Sequence, residues 1–224
     1  MSDVARWLAA WEPPETSLVL VGPSGGHCLD PAFLARFERV TAVDIDPFAP
    51  WVFRWRMRGV LRAGRPSLDW DARDHLSPGP RGFDLAPLRA LVDEHPGAAV
   101  LFCNLLGQLP LFAEDRARDD DVEGSYERWL RGLPDALAGR SWASFHDRLS
   151  GPVRPRDVDG SRPVAWSPAE ELVRRHYPLT DDPSLALFDH RTGGLRPDVP
   201  RWQWVWDLAP GAFHLVEAMS FRAR

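Results

Sequence analysis

The segment 18–47 constrains this chain more than any other. Leu18-Val19-Leu20-Val21 is a short, unbroken apolar run. A run of this length bounded by turn residues reads as a strand buried on both faces, the habit of parallel sheets. Gly22-Pro23-Ser24-Gly25-Gly26 follows, then a helix near 31–37, then a second apolar strand, Val40-Thr41-Ala42-Val43. That strand ends at Asp44-Ile45-Asp46-Pro47. Strand, glycine turn, helix and strand make a βαβ unit, whose right-handed crossover sets the two strands parallel.

The alternation continues. An Arg-rich amphipathic helix over 48–61 leads to a short third strand, 67–70, closed by Asp71-Ala72-Arg73-Asp74. A helix over 85–94 is stopped by Pro96-Gly97, and a fourth strand, 98–103, ends at Asn104. An acidic segment, 114–123, reads as a mobile loop before a helix over 124–138. A fifth strand, 141–145, ends at His146-Asp147. Residues 150–165 are rich in Pro, Arg and Asp and read as loop. Ser167-Pro168-Ala169-Glu170 has capping-box spacing and opens another helix. Two alternating arms, 202–208 and 213–221, flank Ala209-Pro210-Gly211 and read as an antiparallel hairpin. At the other end, Trp7, Leu8 and Trp11 place a short docking helix within 1–16, stopped by Pro13-Pro14. At 224 residues the chain suits one α/β domain.

Composition removes several classes of function. All 27 basic residues are Arg. A chain without Lys has no Walker A lysine, no Schiff-base lysine and no pyridoxal-phosphate lysine. The net charge of −5 speaks against a dedicated nucleic-acid binder. Two cysteines, Cys28 and Cys103, make neither a disulfide framework nor a zinc site, and no metal is expected. No signal peptide and no membrane-spanning run is read, so the expectation is a cytoplasmic protein without membrane partners.

An alternating α/β chain of this size, closed by a terminal hairpin, resembles the class I S-adenosylmethionine-dependent methyltransferases. The resemblance covers nearly the whole chain in element order and is specific at three loops. It implies a single Rossmann-like domain over 1–224: a three-layer α-β-α sandwich around a mostly parallel seven-stranded sheet. The hairpin over 200–224 would place the last strand antiparallel beside the fifth. It implies S-adenosylmethionine as cofactor and a small molecule as methyl acceptor. In the glycine loop, Gly22 and Gly26 match the family's outer glycines, Ser24 stands at the middle one, and Leu20 stands where an acid is common. Asp44 matches the acid that accepts hydrogen bonds from the ribose, and Ile45 the apolar residue on the adenine face. Asp46 reads as the cap of the next helix. In Asp71-Ala72-Arg73-Asp74-His75-Leu76, Asp71 matches the acid that binds the adenine amino group, with Ala72 beside it; the other reading is a capped helix start. A nicotinamide-dependent oxidoreductase would use the same ribose acid, but a Tyr-x-x-x-Lys pair is impossible here. A non-catalytic binding protein on the same fold is the third reading.

Ligands of open parallel sheets sit at the carboxyl ends of the strands. That rule nominates Asn104, with Gln108 beside it, for the cofactor and the reacting methyl, and His146 with Asp147 as base and partner. An Asn-capped turn and a structural histidine are the plainer readings. The loops 104–126 and 148–166 are expected to build the acceptor pocket. Cys28 and Cys103 are expected to be near neighbours as small buried residues. Trp202, Trp204 and Trp206 share one strand face, as core, as an acceptor wall or as the surface of a homodimer. Arg54, Arg56, Arg58, Arg62 and Arg65 read as a solvated helix face.

Overall fold

The computed structural model describes residues 3–80, 82–113, 122–178 and 187–223. The expected loop at 114–121 lies outside the described residues; Val122 and Glu123 already belong to a helix.

Five parallel strands form the body of the sheet: β1 (Ser17–Val21), β2 (Arg39–Val43), β3 (Ser67–Asp71), β4 (Ala98–Cys103) and β5 (Trp142–Gly151). Late in the chain come β6 (Phe188–Asp189), β7 (Trp202–Ala209) and β8 (Ala212–Phe221). The order is β3-β2-β1-β4-β5-β8-β7, with β8 antiparallel to both β5 and β7. The short β6 pairs with the far end of β5, so among the described residues the sheet has eight strands, one more than the expected seven. Two residues carry no periodicity, which is why β6 has no signature in the sequence.

The helices are α1 (Asp3–Ala10), α2 (Pro31–Leu34), α3 (Ala49–Arg56), α4 (Arg58–Arg62), α5 (Ala86–Glu94), α6 (Leu109–Ala113), α7 (Val122–Ala136) and α8 (Ala169–His176). Successive side chains of a strand point to opposite faces, and β1 shows what that does here. Leu18 and Leu20 join a core with Trp7, Leu8, Phe33 and Phe53 from α1, α2 and α3. Val19 and Val21 join another with Leu88 and Leu91 from α5 and Trp129 and Leu133 from α7. Helices on both faces of a mostly parallel sheet are the expected three-layer sandwich.

Several local expectations change. The helix read over 48–61 breaks at Met57 into α3 and α4. The second helix is only one turn long; it is capped by Asp30, which accepts from the Ala32 amide at 2.8 Å. α8 starts at Ala169 without a side-chain cap, and Ser167 Oγ instead accepts from Arg175, so the capping box does not form. The tryptophan stripe is core. Trp204 is buried, lying 6.3 Å from Trp7, while Trp206 meets Phe145 edge-on at 6.0 Å. The five arginines of 54–65 are all exposed, as a solvated face requires. No described helix is long and apolar enough to cross a membrane.

Candidate functional site

A cavity of about 610 Å³ opens at the carboxyl ends of β1, β2 and β4. That volume lies within the range of small-molecule sites, and the position is where open parallel sheets hold ligands. Its walls bring together Gly22, Ser24, Asp44, Ile45 and Asn104, five residues nominated by the sequence, with Gln108 beside them.

Each is placed by its strand end. Gly22 leaves β1 with φ +68°, and a Cβ there would stand 2.8 Å from Leu105 Cδ2. Only glycine takes that conformation at no steric cost. Ser24 keeps a left-handed backbone, φ 48°, at the position of the middle glycine. Asp44 leaves β2 with its carboxylate held at both ends. Oδ2 accepts from the Ser24 amide at 2.8 Å and Oδ1 from the Asp46 amide at 3.0 Å. Each oxygen has a further lone pair to offer a hydroxyl. Ile45 is an apolar side chain left 54% exposed on the cavity wall. Asp46 caps the next turn, accepting from the Phe48 amide at 2.8 Å. Asn104 turns off β4 with φ 51°, a conformation asparagine tolerates. Its Nδ2 donates to Asp147 Oδ2 at 3.3 Å, while its Oδ1 is buried without a hydrogen-bond partner.

Other expectations are corrected. Gly26 is off the wall; a Cβ there would meet Phe53 and Met57 at about 3 Å, so this glycine lets the sheet and α3 pack closely. Asp71 and Ala72 are also off the wall, which uses Arg73, Asp74, His75 and Leu76 of the same stretch. The Asp71 carboxylate is already engaged: Arg73 donates to both oxygens and His75 Nε2 lies 3.0 Å away. Burial raises its pKa, but these hydrogen bonds outweigh burial and hold it well below the usual carboxylate range. His146 is not at a strand tip, because β5 runs on to Gly151. Its ring is fully buried, with Nδ1 2.9 Å from Ser144 Oγ, and burial depresses its pKa strongly. It does not reach the cavity. Nor does the 148–166 segment; Leu105, Gln108 and Leu109 line the wall instead.

The cavity also takes in residues that have a lesser role or none in the sequence pattern. Cys28 and Cys103 both line it, and burial pushes both thiols up, away from nucleophilic use. Phe145 of β5 and His75 complete the wall. Neither carries a local signal, since a buried aromatic and a lone histidine are common in any core.

No protein-family profile and no curated protein matches this chain. Solved structures follow a similar path. The N-methyltransferase NodS from Bradyrhizobium japonicum WM9 is 14% identical, with a TM-score of 0.46 over 97% of this chain and 92% of that one. The magnesium protoporphyrin IX methyltransferase ChlM from Synechocystis PCC 6803, with bound SAM, is 13% identical, with a TM-score of 0.45 over 95% and 74%. The functional reading therefore rests on this chain's own cavity.

Proposed function

We propose that this chain is an S-adenosylmethionine-dependent methyltransferase acting on a small-molecule acceptor. The observation that carries the reading is the Asp44 carboxylate. It is fixed by two backbone amides at the tip of β2, it faces the cavity, and the exposed Ile45 stands next to it.

The walls fit the group. Asp44 would accept from the ribose hydroxyls, and Ile45 would lie on the adenine face. Gly22 clears room for the chain to pass close to the ligand. Asn104, which lines the same wall, would stand beside the methionyl part. When bound, the cofactor supplies a sulfonium methyl for in-line displacement. The protein's share is orientation and exclusion of water, for which a largely apolar wall of Leu76, Leu105, Leu109 and Phe145 is suited. Asn104 is a positioning residue at that end, tied to Asp147 beneath it.

Calorimetric titration with S-adenosylmethionine, S-adenosylhomocysteine and NAD tests the reading. Binding of both sulfur ligands and not of NAD is expected. Asp44→Ala should weaken that binding at least about tenfold, roughly 1.4 kcal/mol, while melting near the wild-type temperature. Absence of heat with either sulfur ligand, or an Asp44→Ala variant that binds as well as wild type, would overturn it.

A further inference from the structure

We propose that Asp147, His190 and His214 form a binding site for one divalent transition cation of the zinc, iron and manganese class. A carboxylate oxygen of Asp147 and one ring nitrogen from each histidine lie within 4.8 Å of one another. Bonds of about 2.0–2.2 Å at tetrahedral angles set the donors of one ion about 3.3–3.6 Å apart, so side-chain rotations that move the donors by about 1 Å close the set.

The separate sign of a ligand is a pair of polar atoms that face each other without bonding. Asp147 Oδ1 and His214 Nδ1 are 3.0 Å apart, yet neither has a hydrogen-bond partner, so their alignment is wrong for one. Two bonds of about 2.1 Å span about 3.0 Å at a right angle and about 3.4 Å at a tetrahedral one, so this pair stands near the separation of adjacent ligands on one ion. Asp147 is almost wholly buried, and a buried carboxylate oxygen without a hydrogen bond is costly unless a cation satisfies it.

The surroundings hold the donors in place. Asp147 Oδ2 accepts from Asn104. His190 Nδ1 lies 2.7 Å from the Gly107 carbonyl, which can only accept. The proton therefore sits on Nδ1, and the Nε2 lone pair accepts from the Ser150 hydroxyl at 2.9 Å, a hydrogen bond that an ion would displace by rotating that hydroxyl away. Outer hydrogen bonds of this kind fix the tautomer and orientation of ligand histidines. The strand pairing shifts by one between Asp147 and Leu149 against β8, and such bulges re-aim side chains. His214 keeps some exposure, which provides an entry path. Two imidazoles and one carboxylate favour zinc, iron or manganese over magnesium or calcium. Three protein donors also leave a coordination position for an outside oxygen or nitrogen.

Chelator-treated protein without a histidine tag is dialysed against Co²⁺ and, separately, Zn²⁺. Bound metal is measured by mass spectrometry, and Co²⁺ also by its visible d–d absorption. About one ion per chain is expected, with the Co²⁺ bands of a nitrogen- and oxygen-ligated site. His214→Ala and Asp147→Asn should each weaken uptake at least about tenfold, and circular dichroism should show both folded. His95→Ala, at the opposite ends of the strands, should bind like wild type. The proposal falls if wild type retains no more metal than the Asp147→Asn/His214→Ala double variant, or if His95→Ala loses the ion as readily. Metal uptake is read without S-adenosylmethionine, so it stands or falls apart from the cofactor reading.

Discussion

The two halves of the sheet hold together by different means. In one half, β1 after Ser17 and all of β4 are apolar and bury hydrocarbon on both faces. In the other, β5 and β8 bury Ser144, His146, Asp147, Arg148 and Glu217. Hydrocarbon needs no particular partner, so the first half is assembled from local βαβ units. Buried charge does need one, and here the partners come from far along the chain. Glu217 accepts from Gln203 at 2.9 Å, with the guanidinium Nε atoms of Arg148 and Arg201 at 3.8 and 3.7 Å. Burial pushes the Glu217 carboxyl up against the pull of both guanidiniums, and it brings Arg201 down to about 10. The candidate site lies on the seam, where Asn104 at the end of the apolar β4 donates to Asp147 of the polar β5. The apolar half supplies most of the cavity wall; the polar half supplies the buried charge beside it.

The sharpest way to break this contrast is Glu217→Ala. Removing the buried carboxylate leaves Arg201 with backbone carbonyls alone and Arg148 with Asp189 as its one remaining acid, a loss of about 3–5 kcal/mol. Urea denaturation reads it directly, and a loss below about 1 kcal/mol would mean that charge does not organise this half. On the apolar side the sensitive point is backbone conformation. Gly22→Ala forces an alanine to φ +68° and pushes Leu105 aside. A left-handed alanine costs about 1–2 kcal/mol, and because Leu105 shares the cavity wall, affinity for S-adenosylmethionine should fall with stability. Unchanged melting and binding would remove the close approach from the argument.

The smallest effect concerns acid stability on the β3 edge. Asp71 has a native pKa below its ordinary value of 3.8. A depressed carboxyl stabilises the fold above its unfolded pKa, and that stabilisation is lost as pH falls toward the native one. Thermal melts should therefore drop below about pH 4, and Asp71→Asn should flatten that drop. An unaltered acid limb would show that the contacts with Arg73 and His75 do not matter to folding.

The same division explains how much could be read from the sequence. Val19, Val21, Gly22, Asp44 and Ile45 were legible because strand, turn and acid lie within one short unit, each with its own local signature. His146 was misplaced for the opposite reason. His146, Asp147 and Arg148 look like the end of a strand, since charged residues break an apolar run. Yet β5 continues through them, because β8 pairs alongside and Glu217 and Asp189 meet Arg148. Asp71 lies off the cavity wall; spacing gives the strand end but not the direction of the side chain, which Arg73 and His75 capture. Asp147, His190 and His214 have no motif spacing at all.

Periodicity, glycine placement and the absence of lysine were sufficient by themselves to determine the class of fold, the strand ends that line the cavity and the chemistries ruled out. Those properties depend on each residue and its near neighbours. Only the tertiary structure decided which polar groups face the cavity, which are neutralised inside the sheet, and which three donors converge beside Asn104. Asp147, Arg148 and His190 are fixed by Asn104, Asp189 and Gly107, each more than 40 residues away, over distances where no local pattern survives.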